Sequence, residues 1–166
     1  MLIYHSAYDA YHCIFRTLVI LEKLKVVEVV KLRILDFYFC FPAELKRIRL
    51  PRGHNEAKKI AAELANIYHG PVSAIQTFRD MEHIQLAAFR TLAASHLIDA
   101  AEFQSGLVRR SELALPQYLN EKVAEALGQN NRLTSYVVEK LADLPLLGVD
   151  GLKHRTGLLD YKYDIA

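Results

Sequence analysis

Val29-Val30-Lys31-Leu32-Arg33-Ile34-Leu35-Asp36-Phe37-Tyr38-Phe39-Cys40-Phe41-Pro42 is the stretch that decides the fold. Val30, Ile34, Phe37 and Phe41 recur at helical steps, and so do Leu32, Leu35 and Phe39. The two rows lie on different sides of one helix. A helix over about 28–41 is therefore apolar nearly all round and belongs at the centre of the molecule. The β-branched run 26–30 taken alone suits a strand; the longer window favours the helix. Pro42 stops it. Arg33 and Asp36, three apart on its least apolar side, are spaced for a structural ion pair.

Upstream, residues 6–24 predict a first helix with Ser6 as its N-cap. Tyr4, Tyr8, Tyr11, Phe15 and Leu18 form one face, with His5, Asp9, His12 and Arg16 beside it. Half of the 16 aromatic residues fall in the first 41 positions, so these two helices are the expected packing seed. Downstream, helices are predicted over about 55–68, 71–79, from 80 to about 97, 117–127 (ending at Gly128) and 132–142 (capped by Asn131). The third of these has Ile84, Ala87, Ala88, Thr91, Leu92 and Leu97 on its apolar face. Residues 99–116 read as irregular, with a short strand over 107–109. Glycines 148, 151 and 157 suggest turns around an extended segment at 156–159, which would pair with 107–109. The expectation is one domain, residues 1–166: mainly α, compact and winged-helix-like, with at most a small β-hairpin near the C-terminus.

Composition narrows the function classes. The chain has 166 residues, 52% apolar and 24% charged, with a net charge of +2. That is enough chain for a core without staples, and too apolar and too neutral for disorder. Two cysteines, Cys13 and Cys40, exclude a disulfide scaffold and read as buried thiols. Seven Gly and five Pro exclude collagen-like order. The most apolar segment, 17–42, carries seven charges and does not read as a membrane span. The N-terminus lacks a basic region followed by an apolar run, so cytoplasmic localisation is expected.

Few residues are patterned for chemistry. His5, Asp9 and His12 stand at helical spacing, and with Cys13 or His83 they would suit a metal, though the same pattern is ordinary for a helix edge. No phosphate loop, dinucleotide fingerprint, nucleophile elbow or Cys-x-x-Cys pair is present. No cofactor and no catalytic residue is expected. The strongest binding signal is a charge asymmetry. Lys46, Arg47, Arg49, Arg52, Lys58 and Lys59 face only Glu56, a local net of +5 against about −3 for the rest. The stretch suits a solvated loop and helix edge, an acidic protein surface or DNA phosphates. Lys153-His154-Arg155 is a smaller basic group placed for a turn or a wing tip, which adds Lys153 and Arg155 to the candidates.

Three stretches together carry a family resemblance. They are residues 8–16 (YDAYHCIFR), 32–42 (LRILDFYFCFP) and 151–164 (GLKHRTGLLDYKYD). In that order the chain resembles the middle component of the bacterial ABC-three-component systems, which include the small accessory subunit of Lamassu-type anti-phage and anti-plasmid defence. The resemblance implies a non-enzymatic adaptor that binds an SMC-like ATPase subunit and an effector nuclease subunit, with direct or indirect DNA contact and no membrane. It brings no catalytic residues. The alternative reading is a winged-helix DNA-binding regulator that touches duplex through 46–59 or 153–155. For an adaptor, part of the apolar excess is interface, and the isolated chain is expected to be sticky and stabilised by its partner.

Overall fold

The structure is a computed structural model that describes residues 5–65, 70–128 and 131–159. Its seed is a helical pair, α1 (Ala10–Leu24) and α2 (Val29–Cys40). The N-cap of α1 is Asp9, whose carboxylate accepts from the His12 N–H at 3.0 Å. Ser6 is not the cap: Ser6–Tyr8 forms a 3-10 turn before the helix, and His5 Nδ1 accepts from the Ala7 N–H. A carboxylate in extended backbone one residue before the first helical turn outcompetes the more distant hydroxyl. The buried face of α1 is Cys13, Thr17, Leu18, Val19, Ile20 and Leu21, so the predicted tyrosine face is not the core face at its start. Tyr11 stays 68% exposed. Tyr4 lies outside the described residues.

Lys25, at φ 63°, reverses the chain after α1 and leads directly into strand β1 (Val26–Glu28). The run 26–30 is thus divided: three residues extend and the helix takes the rest. Leu32 to Tyr38 of α2 are all buried, Arg33 and Asp36 among them, which is the all-round burial its sequence predicts. Leu18, Ile20, Phe78, Phe89, Tyr136 and Leu141 belong to the same buried core. Phe37 meets Phe78 edge-on and Phe41 at a tilt. Burial of this set is the main stabilising term, roughly 1.5–3 kcal/mol for each large side chain.

A six-residue 3-10 helix, Pro42–Arg47, follows and packs on α3 (Glu56–Glu63). The predicted end of that helix at 66–68 lies outside the described residues. Next come α4 (Ala74–Asp80), capped by Ser73, and α5 (Glu82–Ala94), which packs along α1. Residues 100–104, expected to be irregular, form α6 (Ala100–Gln104), because the Asp99 carboxylate caps it through the Glu102 N–H at 2.8 Å.

Strand β2 (Leu107–Arg109) lies where the sequence predicts a strand, but its partner is different. It pairs antiparallel with β1, Val27 opposite Val108. Residues 156–159 do not form the other strand, and the small sheet is not a C-terminal hairpin. Its two strands come from distant parts of the chain, and β1 is delivered to β2 by the reversal at Lys25. The sequence of the C-terminal segment instead forms α9 (Leu152–Thr156), after α7 (Gln117–Ala126), α8 (Arg132–Ser135) and a π-helical turn, Tyr136–Leu141. Gly151 begins α9 where a β-carbon would collide with the Leu147 carbonyl, and Gly157 ends it in the left-handed region. Among the described residues the fold is mainly helical with one small two-stranded antiparallel sheet, consistent with a compact, winged-helix-like helical domain.

Candidate functional site

Arg33 and Asp36 do not pair with each other. Each turns to a different helix, and the result is a buried polar frame that the sequence reading missed. Asp36, fully buried, receives Arg16 Nε at 2.5 Å and Gln85 Nε2 at 2.9 Å. Arg16 Nη1 also donates to the Ser6 carbonyl. Gln85 Nε2 reaches the Arg33 carbonyl at 3.2 Å, while Gln85 Oε1 accepts from Arg33 Nε at 2.9 Å. The Arg33 guanidinium lies over the Phe78 ring and pairs with Glu82 at 3.3 Å. Burial lowers the pKa of Arg33, and Glu82 partly offsets this. Burial also opposes the charge on Arg16, but Asp36 more than restores it. The Cys13 and Cys40 thiols are pushed up, first by burial and then by the Asp36 charge, so neither is poised as a nucleophile. This frame locks α1, α2 and α5 in fixed register.

The predicted binding residues lie on another part of the surface. Lys46 and Arg47 end the 3-10 helix, Arg49 and Arg52 lie in the following loop, and Lys58 and Lys59 lie on α3; all six are exposed. Three of them converge. Lys46, Arg49 and Lys58 line one cleft of about 230 Å³ with Leu45, Ile48, Leu50, Pro51, His54 and Asn55. The cleft wall contains no carboxylate. Glu56, the acid of this stretch, is not part of the lining and pairs with Lys140 at 3.0 Å and Arg132 at 3.8 Å. Arg47 pairs with Glu44 at 3.3 Å. Among the described residues the side chains of Lys46, Arg52, Lys58 and Lys59 have no ion pair or hydrogen-bond partner.

The C-terminal basic group has a different place. Lys153 and Arg155 lie on a helix packed against the loop, so 153–155 is neither a turn nor a wing tip. Arg155 donates to the Arg49 carbonyl at 2.5 Å, and to the Asp150 carbonyl and carboxylate at 2.6 Å. Arg49 returns the contact through its N–H to the Arg155 carbonyl and its Nη2 to the His154 carbonyl. Arg155 is thus a clamp that holds the cleft loop. Behind the loop, His54 Nδ1 meets the Tyr136 hydroxyl at 2.9 Å, at the start of the π-helical turn. Partial burial lowers the pKa of His54; Lys140 and Arg155 lower it further, against Asp143. Burial and then Glu56 push the Tyr136 hydroxyl up to about 12.

The helix-edge residues His5, Asp9 and His12 serve the start of α1. Asp9 is its cap, and the His5 ring stacks on Phe41. Among the described residues no group of three or more His, Cys, Asp or Glu is arranged to hold a metal ion, and no helix is long and apolar enough to cross a membrane.

The model of one protein family, ABC-three component (ABC-3C) system Middle Component 5, matches residues 2–164. No curated protein and no solved structure matches the chain. The three stretches that carry the sequence resemblance lie within the matched range, with the buried frame between the first two and the cleft beyond them. The chain belongs to the Middle Component 5 family of the ABC-three-component systems.

Proposed function

We propose that this protein is a non-catalytic adaptor that holds an SMC-like ATPase subunit and an effector nuclease subunit together in a defence complex of the Lamassu type. Membership makes it an accessory component of an ABC-three-component system, with ATPase and nuclease components as its general partners. The bridging role is the finer part of the proposal. The observation that carries it is the family match over nearly the whole chain, residues 2–164.

The architecture supports this reading. An adaptor must present surfaces in fixed relation to each other. The Arg16–Asp36–Gln85–Arg33 frame ties three helices by directional contacts that tolerate little sliding. Large apolar side chains also remain outside: Tyr11, Tyr118 and Val149 are 68%, 66% and 79% exposed. Such residues suit contact with another protein, since aromatic side chains supply much of the energy at interface cores.

The test is co-expression of the tagged chain with the ATPase and effector of its own system, followed by purification in moderate salt. Retention of both subunits is the expected result. A chain that emerges alone, folded and monodisperse, overturns the proposal.

A further inference from the structure

The cleft lined by Lys46, Arg49 and Lys58 is a candidate binding site that the adaptor role does not require. We infer that it is a seat for backbone phosphates of duplex DNA, bound without regard to sequence.

Four observations carry this. First, the three cations come from three segments: the 3-10 helix, the loop and α3. They meet around one depression, so the charge is concentrated. Second, the wall holds no carboxylate, and the charge of Glu56 is already engaged by Lys140 and Arg132. Third, the loop is braced. The reciprocal Arg49–Arg155 backbone contacts and the Asp150 anchor fix the loop before any ligand arrives. A prepared site loses less ordering entropy on binding. Fourth, Arg52 and Lys59 add unpartnered, exposed charge in the same stretch. Charges in series suit a polymer with phosphates at regular intervals better than one small anion.

The lining also separates DNA from other polyanions. It contains no Phe, Tyr or Trp, so bases of a single strand have nothing to stack on. Of its apolar members Leu45 and Ile48 are buried, and only Leu50 and Pro51 are partly exposed, a small apolar area for a protein anchor. Beside the half-buried Leu50, Pro51 and His54, the exposed lining is Lys46, Arg49, Lys58 and the Asn55 amide, a set that reads phosphate oxygens. This inference goes beyond the adaptor reading and stands whether or not the chain bridges two subunits.

The test is fluorescence anisotropy of a labelled duplex of about 20 base pairs with the full chain, over salt from about 50 to about 200 mM. The parent chain is expected to bind with a steep salt dependence. The double variant K46Q/K58Q should weaken binding about tenfold or more and reduce the salt slope by about two, one for each lost phosphate contact. K46R/K58R should restore both, because it keeps the charge. K122Q, on α7, should bind like the parent. Both lysines are exposed, so the variants fold, and an unchanged urea midpoint verifies it. Absence of duplex binding at the lowest salt overturns the inference. So does a K46Q/K58Q chain that binds duplex like the parent, or one that keeps duplex binding and loses the ATPase subunit. The last result assigns the cleft to an acidic protein surface. Loss of duplex binding with both subunits retained leaves the adaptor reading intact.

Discussion

Two groups of cations in this chain have opposite fates. Arg16 and Arg33 lie in the interior, and every charge there has a fixed partner. Lys46, Arg52, Lys58 and Lys59 lie outside, and among the described residues none of their side chains has one. The residue types are nearly the same. What differs is whether folding supplies the counter-charge. A buried arginine without a carboxylate or carbonyl is too costly to keep, so the fold must provide one. An exposed lysine is hydrated, contributes little to stability, and stays available to a ligand. Charge that the fold has not answered is therefore the better guide to function.

The largest expected effect comes from breaking the buried group. Asp36→Ala leaves Arg16 without its carboxylate and Gln85 without an acceptor. It should cost about 3–5 kcal/mol in urea unfolding. Gln85→Ala leaves the Asp36 charge paired with Arg16 but removes the link to Arg33, and about 1–3 kcal/mol is expected. A cost for Asp36→Ala no greater than for an exposed carboxylate such as Glu121→Ala would erase the distinction between the two groups.

Prediction from sequence succeeded and failed for physical reasons that these residues illustrate. The centrality of α2 was legible because its apolar residues occupy more than one helical row, which only a buried helix tolerates. The basic stretch was legible as a charge imbalance. The frame was not, because its partners are far apart in sequence: Arg16 to Asp36, and Arg33 to Gln85. Spacing within one helix offered Arg33 to Asp36, whereas packing points each side chain toward a different neighbour. A faint signal existed in α5, where Gln85 falls in register with Ala88, Phe89 and Leu92 on the buried face. The strand at 107–109 was visible from its β-branched centre, but its partner was not, because pairing of β1 with β2 depends on the reversal at Lys25. The convergence of Lys46, Arg49 and Lys58 was equally hidden, since it requires the 3-10 helix to fold back on α3.

A middle-sized effect is expected from pH. The folded chain holds His54 below its ordinary value, through burial and then through Lys140 and Arg155. The unfolded chain takes up this proton near pH 6.5, where the folded chain resists it. Stability should therefore be full above that pH and fall as acid carries the protein down through the lowered His54 value. His54→Gln should reduce this fall when the two chains are compared by urea unfolding at a series of pH values. An identical pH profile for both contradicts the assignment.

The smallest effect sharpens the comparison from the other side. K46Q/K58Q should change unfolding free energy by no more than about 0.5 kcal/mol, since among the described residues neither lysine side chain has a partner to lose. A loss of several kcal/mol would show that the exposed group also holds the fold.

The measurement that bears most directly on the adaptor account is capture of the effector by a tagged ATPase subunit, with this chain present and with it omitted. The account predicts that the effector is retained only when the chain is present, in a complex that contains all three. Equal retention of the effector without the chain would contradict it.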